Sequence, residues 1–103
     1  MFYDDENDLR KISRIAIDAS AFISLGGRMF SGRLKDVSIQ SVCLMMEASI
    51  PAGTTVDVVI VYKASRAVFR GYVTRTNQGE VVVYGAEKSS ASLRSFYAKL
   101  AAA

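Results

Sequence analysis

From Arg14 onward, apolar and polar residues alternate with period two. Ile15, Ile17, Ala19, Ala21 and Ile23 fall on one face; Arg14, Ala16, Asp18 and Ser20 fall on the other. This describes a half-buried strand, because successive side chains of a strand point to opposite faces of its sheet. Leu25-Gly26-Gly27-Arg28 predicts a tight hairpin turn, since paired glycines take positive φ without steric cost. Phe30, Gly32 and Leu34 then alternate with Ser31, Arg33 and Lys35 in a second strand. Val42 to Met46 is a nearly continuous apolar run, as expected of a strand buried on both faces. Pro51-Ala52-Gly53 breaks the pattern. Thr54 to Tyr62 is rich in β-branched residues, Val68 to Thr74 alternates, Asn77-Gln78-Gly79 turns, and Glu80 to Tyr84 returns as a strand. Six short strands separated by turn chemistry predict a small antiparallel β-barrel.

The period changes near the end of the chain. Leu93, Phe96, Tyr97 and Leu100 lie at i, i+3, i+4 and i+7, one apolar stripe of a helix. Ser89 or Ser90 is placed to cap it, and the alanines around and after Lys99 favour it. The stripe is expected to pack on the barrel or close one of its mouths, with a partner-binding surface as the alternative. Residues 1–9 carry no periodicity and read as a flexible acidic arm; 10–103 read as one all-β domain packed by one helix.

Composition narrows the function. The chain has 103 residues, one domain's worth, enough to bury roughly 60–70% of its unfolded surface. No stretch approaches the about 20 apolar residues of a membrane span. The acidic first residues show no secretory signal, which implies a cytoplasmic protein. Histidine is absent and Cys43 is the only cysteine. Without these there is no Cys/His nucleophile pair, no thiolate metal cluster and no imidazole base. Cys43, between Val42 and Leu44, reads as a core residue. No phosphate-binding glycine loop occurs. Nothing in the sequence calls for an enzyme, a metal or a cofactor. Net charge is +3, with Asp4, Asp5, Glu6 and Asp8 crowded at the start. The remainder is therefore basic, which suits an anionic partner and is equally the mark of an ordinary solvated surface.

Two short motifs carry the candidate chemistry. The first is Arg10-Lys11-Ile12-Ser13-Arg14, an R-x-x-x-R; the second is Asp36-Val37-Ser38-Ile39-Gln40-Ser41, a D-x-S-x-x-S. The arginine fork matches phosphate and the guanine O6/N7 edge equally well, because it donates two parallel hydrogen bonds. Aspartate accepts from guanine N–H donors. Singly, each motif is weak: R-x-x-x-R is common in basic chains, and D-x-S is a common turn in which the side chains cap backbone amides.

Together, and in this order ahead of the strands and helix, the two motifs resemble the PilZ domain of bacteria. Gly71-Tyr72-Val73-Thr74-Arg75 also resembles that family's late G-x-V-x-R strand. The resemblance covers residues 9 to about 100. It implies a six-stranded antiparallel barrel packed by one helix, and a receptor for the second messenger cyclic di-GMP. It further implies that Arg10 and Arg14 clamp guanine and phosphate, that Asp36 and Ser38 hold the guanine edge, and that Lys11 and Arg75 are secondary contacts. The family carries glycine where Ser41 stands. Glycine there takes positive φ or lets a ligand reach the backbone, so the serine is expected to reduce affinity. The output would lie in an unidentified downstream protein, in motility, biofilm or exopolysaccharide control, with no DNA involved. Two rivals remain: a PilZ-like adaptor that binds protein without nucleotide, and a basic barrel that binds single-stranded nucleic acid through cations and aromatics such as Tyr72 and Tyr84.

Overall fold

A computed structural model describes residues 14–86 and 90–102. The arm expected over 1–9, Arg10, Lys11 and Ser89 lie outside the described residues. Six strands run in chain order: β1 (Ile15–Leu25), β2 (Arg28–Val37), β3 (Ser41–Met45), β4 (Thr55–Tyr62), β5 (Ser65–Asn77) and β6 (Glu80–Gly85). One helix, α1 (Ala91–Ala102), follows. The strands pair antiparallel in the order β1-β2-β3-β6-β5-β4 and close on themselves as a barrel.

Alternation set the inner face as expected. Ala19, Ala21 and Ile23 of β1, Leu34 of β2, and Val56, Val58 and Ile60 of β4 are buried in one cluster with Phe69, Val73, Val81 and Val83. Gly26 and Gly27 both take positive φ, 57° and 81°, in the β1–β2 turn, as a two-residue hairpin requires. β3 is buried on both sides. Val42 and Leu44 face the interior, while Ser41 and Cys43 are covered on the outside. Lys35 of β2 and Glu80 of β6 pair at 2.7 Å, across the strand that carries Cys43. The Cys43 thiol donates to Glu80 Oε1 at 3.8 Å, and burial pushes its pKa upward, with the Glu80 carboxylate adding to the effect. It is a poor nucleophile in this setting.

Two elements run longer than the pattern indicates. β5 begins at Ser65 rather than near Val68, because β4 and β5 are joined by only Lys63 and Ala64. Lys63 takes φ 53°, a left-handed conformation held without glycine, so this hairpin leaves no turn signal in the sequence. β2 likewise runs from the glycine turn to Val37.

Gly71 marks a close approach. A Cβ on it would lie 2.2 Å from the carbonyl oxygen of Tyr84, on the neighbouring strand β6. Gly71→Ala is therefore expected to cost about 1–3 kcal/mol, the usual range for overpacking. Urea denaturation measures it; an unchanged midpoint would show that β5 and β6 separate there without penalty.

The helix stripe covers the protein's own core. Leu93 and Phe96 are buried in the barrel cluster, and Tyr97 and Leu100 pack against it. The N–H of Val68 donates to Ser92 Oγ at 2.9 Å, where β5 extends past its pairing with β6. The Ser90 carbonyl accepts the N–H of Arg94 at 3.0 Å, opening the helix.

Candidate functional site

The turn between β2 and β3 is built by one hydroxyl. Ser38 Oγ accepts the backbone N–H of Ser41 at 2.9 Å and of Gln40 at 3.1 Å, and lies 3.1 Å from Ser41 Oγ. The Ser38 N–H donates to the Ser41 carbonyl at 2.8 Å, and the Gln40 carbonyl accepts from Gly85 N–H at 2.8 Å. Both serines are buried and hydrogen-bonded, which suits their burial. Ser38 thus serves the protein's own backbone and fixes the shape of this turn.

Asp36 does not cap this turn. Arg14 Nη1 donates to its Oδ1 at 2.6 Å. The two side chains are 39% and 23% exposed. Pairs this open contribute about 0–1 kcal/mol to stability. The pair therefore matters for geometry: Asp36 holds the Arg14 fork at the rim of the barrel.

Two β-bulges turn the charged groups outward. The β2–β3 register shifts by one residue between Leu34 and Asp36, after which Asp36 pairs Cys43. The β5–β6 register shifts between Val73 and Arg75, after which Arg75 pairs Val82. Cys43 and Val82 lie outside the core cluster, so their partners Asp36 and Arg75 share the outer surface. Thr74, the other residue at the second bulge, donates through Oγ1 to the Val82 carbonyl at 3.4 Å. Bulges at barrel rims commonly re-aim a side chain in this way.

The result is a recess of about 360 Å³ lined by Arg14, Ser38, Ser41, Thr74, Arg75, Val82 and Tyr84. Arg75 forms no ion pair among the described residues. Tyr84 stacks on Tyr72 of β5, with ring centroids 6.1 Å apart. The recess presents two arginines, hydroxyls and an aromatic ring, the groups an anionic, base-bearing ligand needs. A larger recess, about 760 Å³, opens between the start of β2 and the β5–β6 turn. Its charged lining is Glu47 and Glu80, which repels an anion. Among the described residues no group of His, Cys, Asp or Glu is placed to hold a metal ion, and no helix is long and apolar enough to cross a membrane.

Of the sequence candidates, Arg14, Ser38, Ser41 and Arg75 line this recess, and Asp36 joins it through Arg14. Arg10 and Lys11 lie outside the described residues. The expected backbone cost at Ser41 is corrected. Lys63 is the only described non-glycine residue with positive φ, and Ser41 begins β3 in strand conformation. Its hydroxyl belongs to the Ser38 turn. Ser41→Gly is accordingly expected to lower stability by about 1 kcal/mol, through the lost hydrogen bond and the entropy of glycine in a strand. It relieves no strain, so binding should change little. Tighter binding by a folded Ser41→Gly protein, read by calorimetry, would show that the hydroxyl obstructs the ligand. Thr74 and Gln40 were not singled out by the motifs. The break in alternation at Thr74-Arg75 was the signal for the first.

The sequence matches no protein-family model and no curated protein. Solved structures do match. The PilZ domain of CeSA from a cellulose-synthesizing bacterium aligns with a TM-score of 0.71 at 16% identity, covering 84% of this chain and 96% of that one. The Bacillus subtilis inhibitor of motility, MotI/DgrA, aligns with a TM-score of 0.65 at 11% identity, covering 85% of this chain and 49% of that one. This chain thus spans about half of MotI/DgrA. The barrel and its C-terminal helix have the PilZ fold.

Proposed function

We propose that this PilZ-type barrel binds cyclic di-GMP and relays the signal to a partner protein. What supports this is convergence: residues from two separate motifs and a late strand line or border one recess. In this reading the Arg14 and Arg75 forks take phosphate and the guanine O6/N7 edge. Asp36 orients Arg14 and offers its remaining oxygen to guanine donors. Arg10 adds the second fork of the R-x-x-x-R, as the family resemblance implies, with Lys11 beside it. The role is one of binding, not catalysis, in the cytoplasm. The partner would act in motility, biofilm or exopolysaccharide control.

The stacked, exposed Tyr72–Tyr84 pair gives the nucleic-acid reading its one specific support, since bases stack on such platforms. Calorimetric titration with cyclic di-GMP, GTP and a short single-stranded oligonucleotide separates the readings. Saturable binding of cyclic di-GMP alone is expected. Preference for the oligonucleotide would favour the nucleic-acid barrel, and no binding of any of the three would favour the protein-only adaptor.

A further inference from the structure

We propose that a second recess, which shares Tyr84 with the first, holds the second guanine of the ligand, with Arg94 as its recognition residue; this rests on the cyclic di-GMP reading. The recess is about 370 Å³ and is lined by Ile39, Gln40, Tyr84, Gly85, Ser90 and Arg94. Tyr84 also lines the recess of Arg14 and Arg75. Two hollows of nearly equal size, about 370 and 360 Å³, therefore share one tyrosine, and cyclic di-GMP has two chemically identical halves.

The lining suits a base better than a phosphate. A phosphate seeks several cations, and among the described residues this recess has one arginine beside apolar and aromatic surface. Ile39 is 40% exposed and Tyr84 38%, giving a planar base flat surface to lie on. Among the described residues Arg94 donates from Nη1 to Ser90 Oγ at 2.8 Å, which anchors the guanidinium; its fork carries further donors suited to the guanine O6/N7 edge. Gln40 Oε1 accepts from Tyr84 Oη at 3.3 Å, leaving its amide N–H₂ as a further donor. The wall is rigid. The Gln40 backbone is tied to Ser38 on one side and Gly85 on the other. At Gly85 a Cβ would lie 2.9 Å from Ser90 Cβ, so the end of β6 and the start of α1 meet without an intervening side chain.

Arg94 also connects the ligand to the helix. It sits in the first turn of α1, between the buried Leu93 and Phe96. A base held by Arg94 therefore restrains α1, and occupancy of the barrel rim becomes a change in an element that a partner protein can read.

The test combines calorimetry with amide spectra of the full chain. Cyclic di-GMP should shift the amide signals of Ile39, Gln40 and residues 91–94. Arg94→Ala and Arg94→Lys should each weaken binding five- to tenfold. Arg94→Lys keeps the charge and the helix propensity and loses only the fork, so a loss with it is not misfolding. Wild-type affinity in Arg94→Lys would overturn the guanine assignment. Wild-type affinity in both variants, with those amides unmoved while Arg14→Ala binds weakly, would overturn the second recess and leave the receptor reading intact. Absence of binding by the wild-type protein would overturn both.

Discussion

Arg14→Ala is expected to weaken cyclic di-GMP binding tenfold or more while leaving the melting temperature of the free protein nearly unchanged. The two halves of that expectation have different sources. A hydrogen bond to a charged group contributes about 1.5–3 kcal/mol, and each 1.4 kcal/mol is about tenfold in affinity. The native contact that is lost, the ion pair to Asp36, is partly open to solvent, and such pairs contribute about 0–1 kcal/mol. Arg75→Ala should behave similarly, since Arg75 lines the recess without an ion pair among the described residues. Arg10→Ala tests the part of the motif that only the resemblance supplies. Higher salt should weaken wild-type binding, because the contacts are charged and near the surface. Calorimetry on the folded variants, beside a thermal melt of each, decides it. If Arg14→Ala and Arg10→Ala both bind like wild type, the nucleotide site is not where the motifs place it.

Much of the barrel was legible because its strands are half-buried and its first hairpin turn is glycine-rich. Ile15 to Ile23 announce an inner face, and Gly26-Gly27 announce the hairpin. The site was less legible, for one physical reason: a bulge adds a residue and reverses the side-chain phase beyond it. Strict alternation from Leu34 would turn Asp36 into the core, and from Val73 it would turn Arg75 there too. The two register shifts instead bring Val37 into the core cluster and carry Asp36 and Arg75 to the outer surface. The motif spelled out which residues to watch, while their convergence depends on insertions that alternation alone does not place. Ser41 shows the complementary error. Reading it against a family glycine suggested strained backbone, yet the local sequence already contained the reason for a serine: a hydroxyl three residues after Ser38 can join the same turn.

Phe96→Ala is expected to destabilise the protein by about 3–5 kcal/mol, the range for removing a buried aromatic ring. Phe96 is 2% exposed and belongs to the same cluster as Val58, Phe69 and Val83. Total stability of a domain is typically about 5–15 kcal/mol, so this single change can leave the variant close to unfolding. The size of the effect separates two uses of an amphipathic helix. If the stripe of Leu93 and Phe96 were kept for a partner, truncating it would cost little in the isolated protein. Since it seals the barrel, the cost falls on folding itself. Urea denaturation of Phe96→Ala measures this directly, and a loss below about 1 kcal/mol would mean that α1 lies loosely on the barrel. A firmly seated helix is also what lets Arg94 work as a sensor. A side chain can transmit the presence of a base only if the turn that carries it has a defined position to move from.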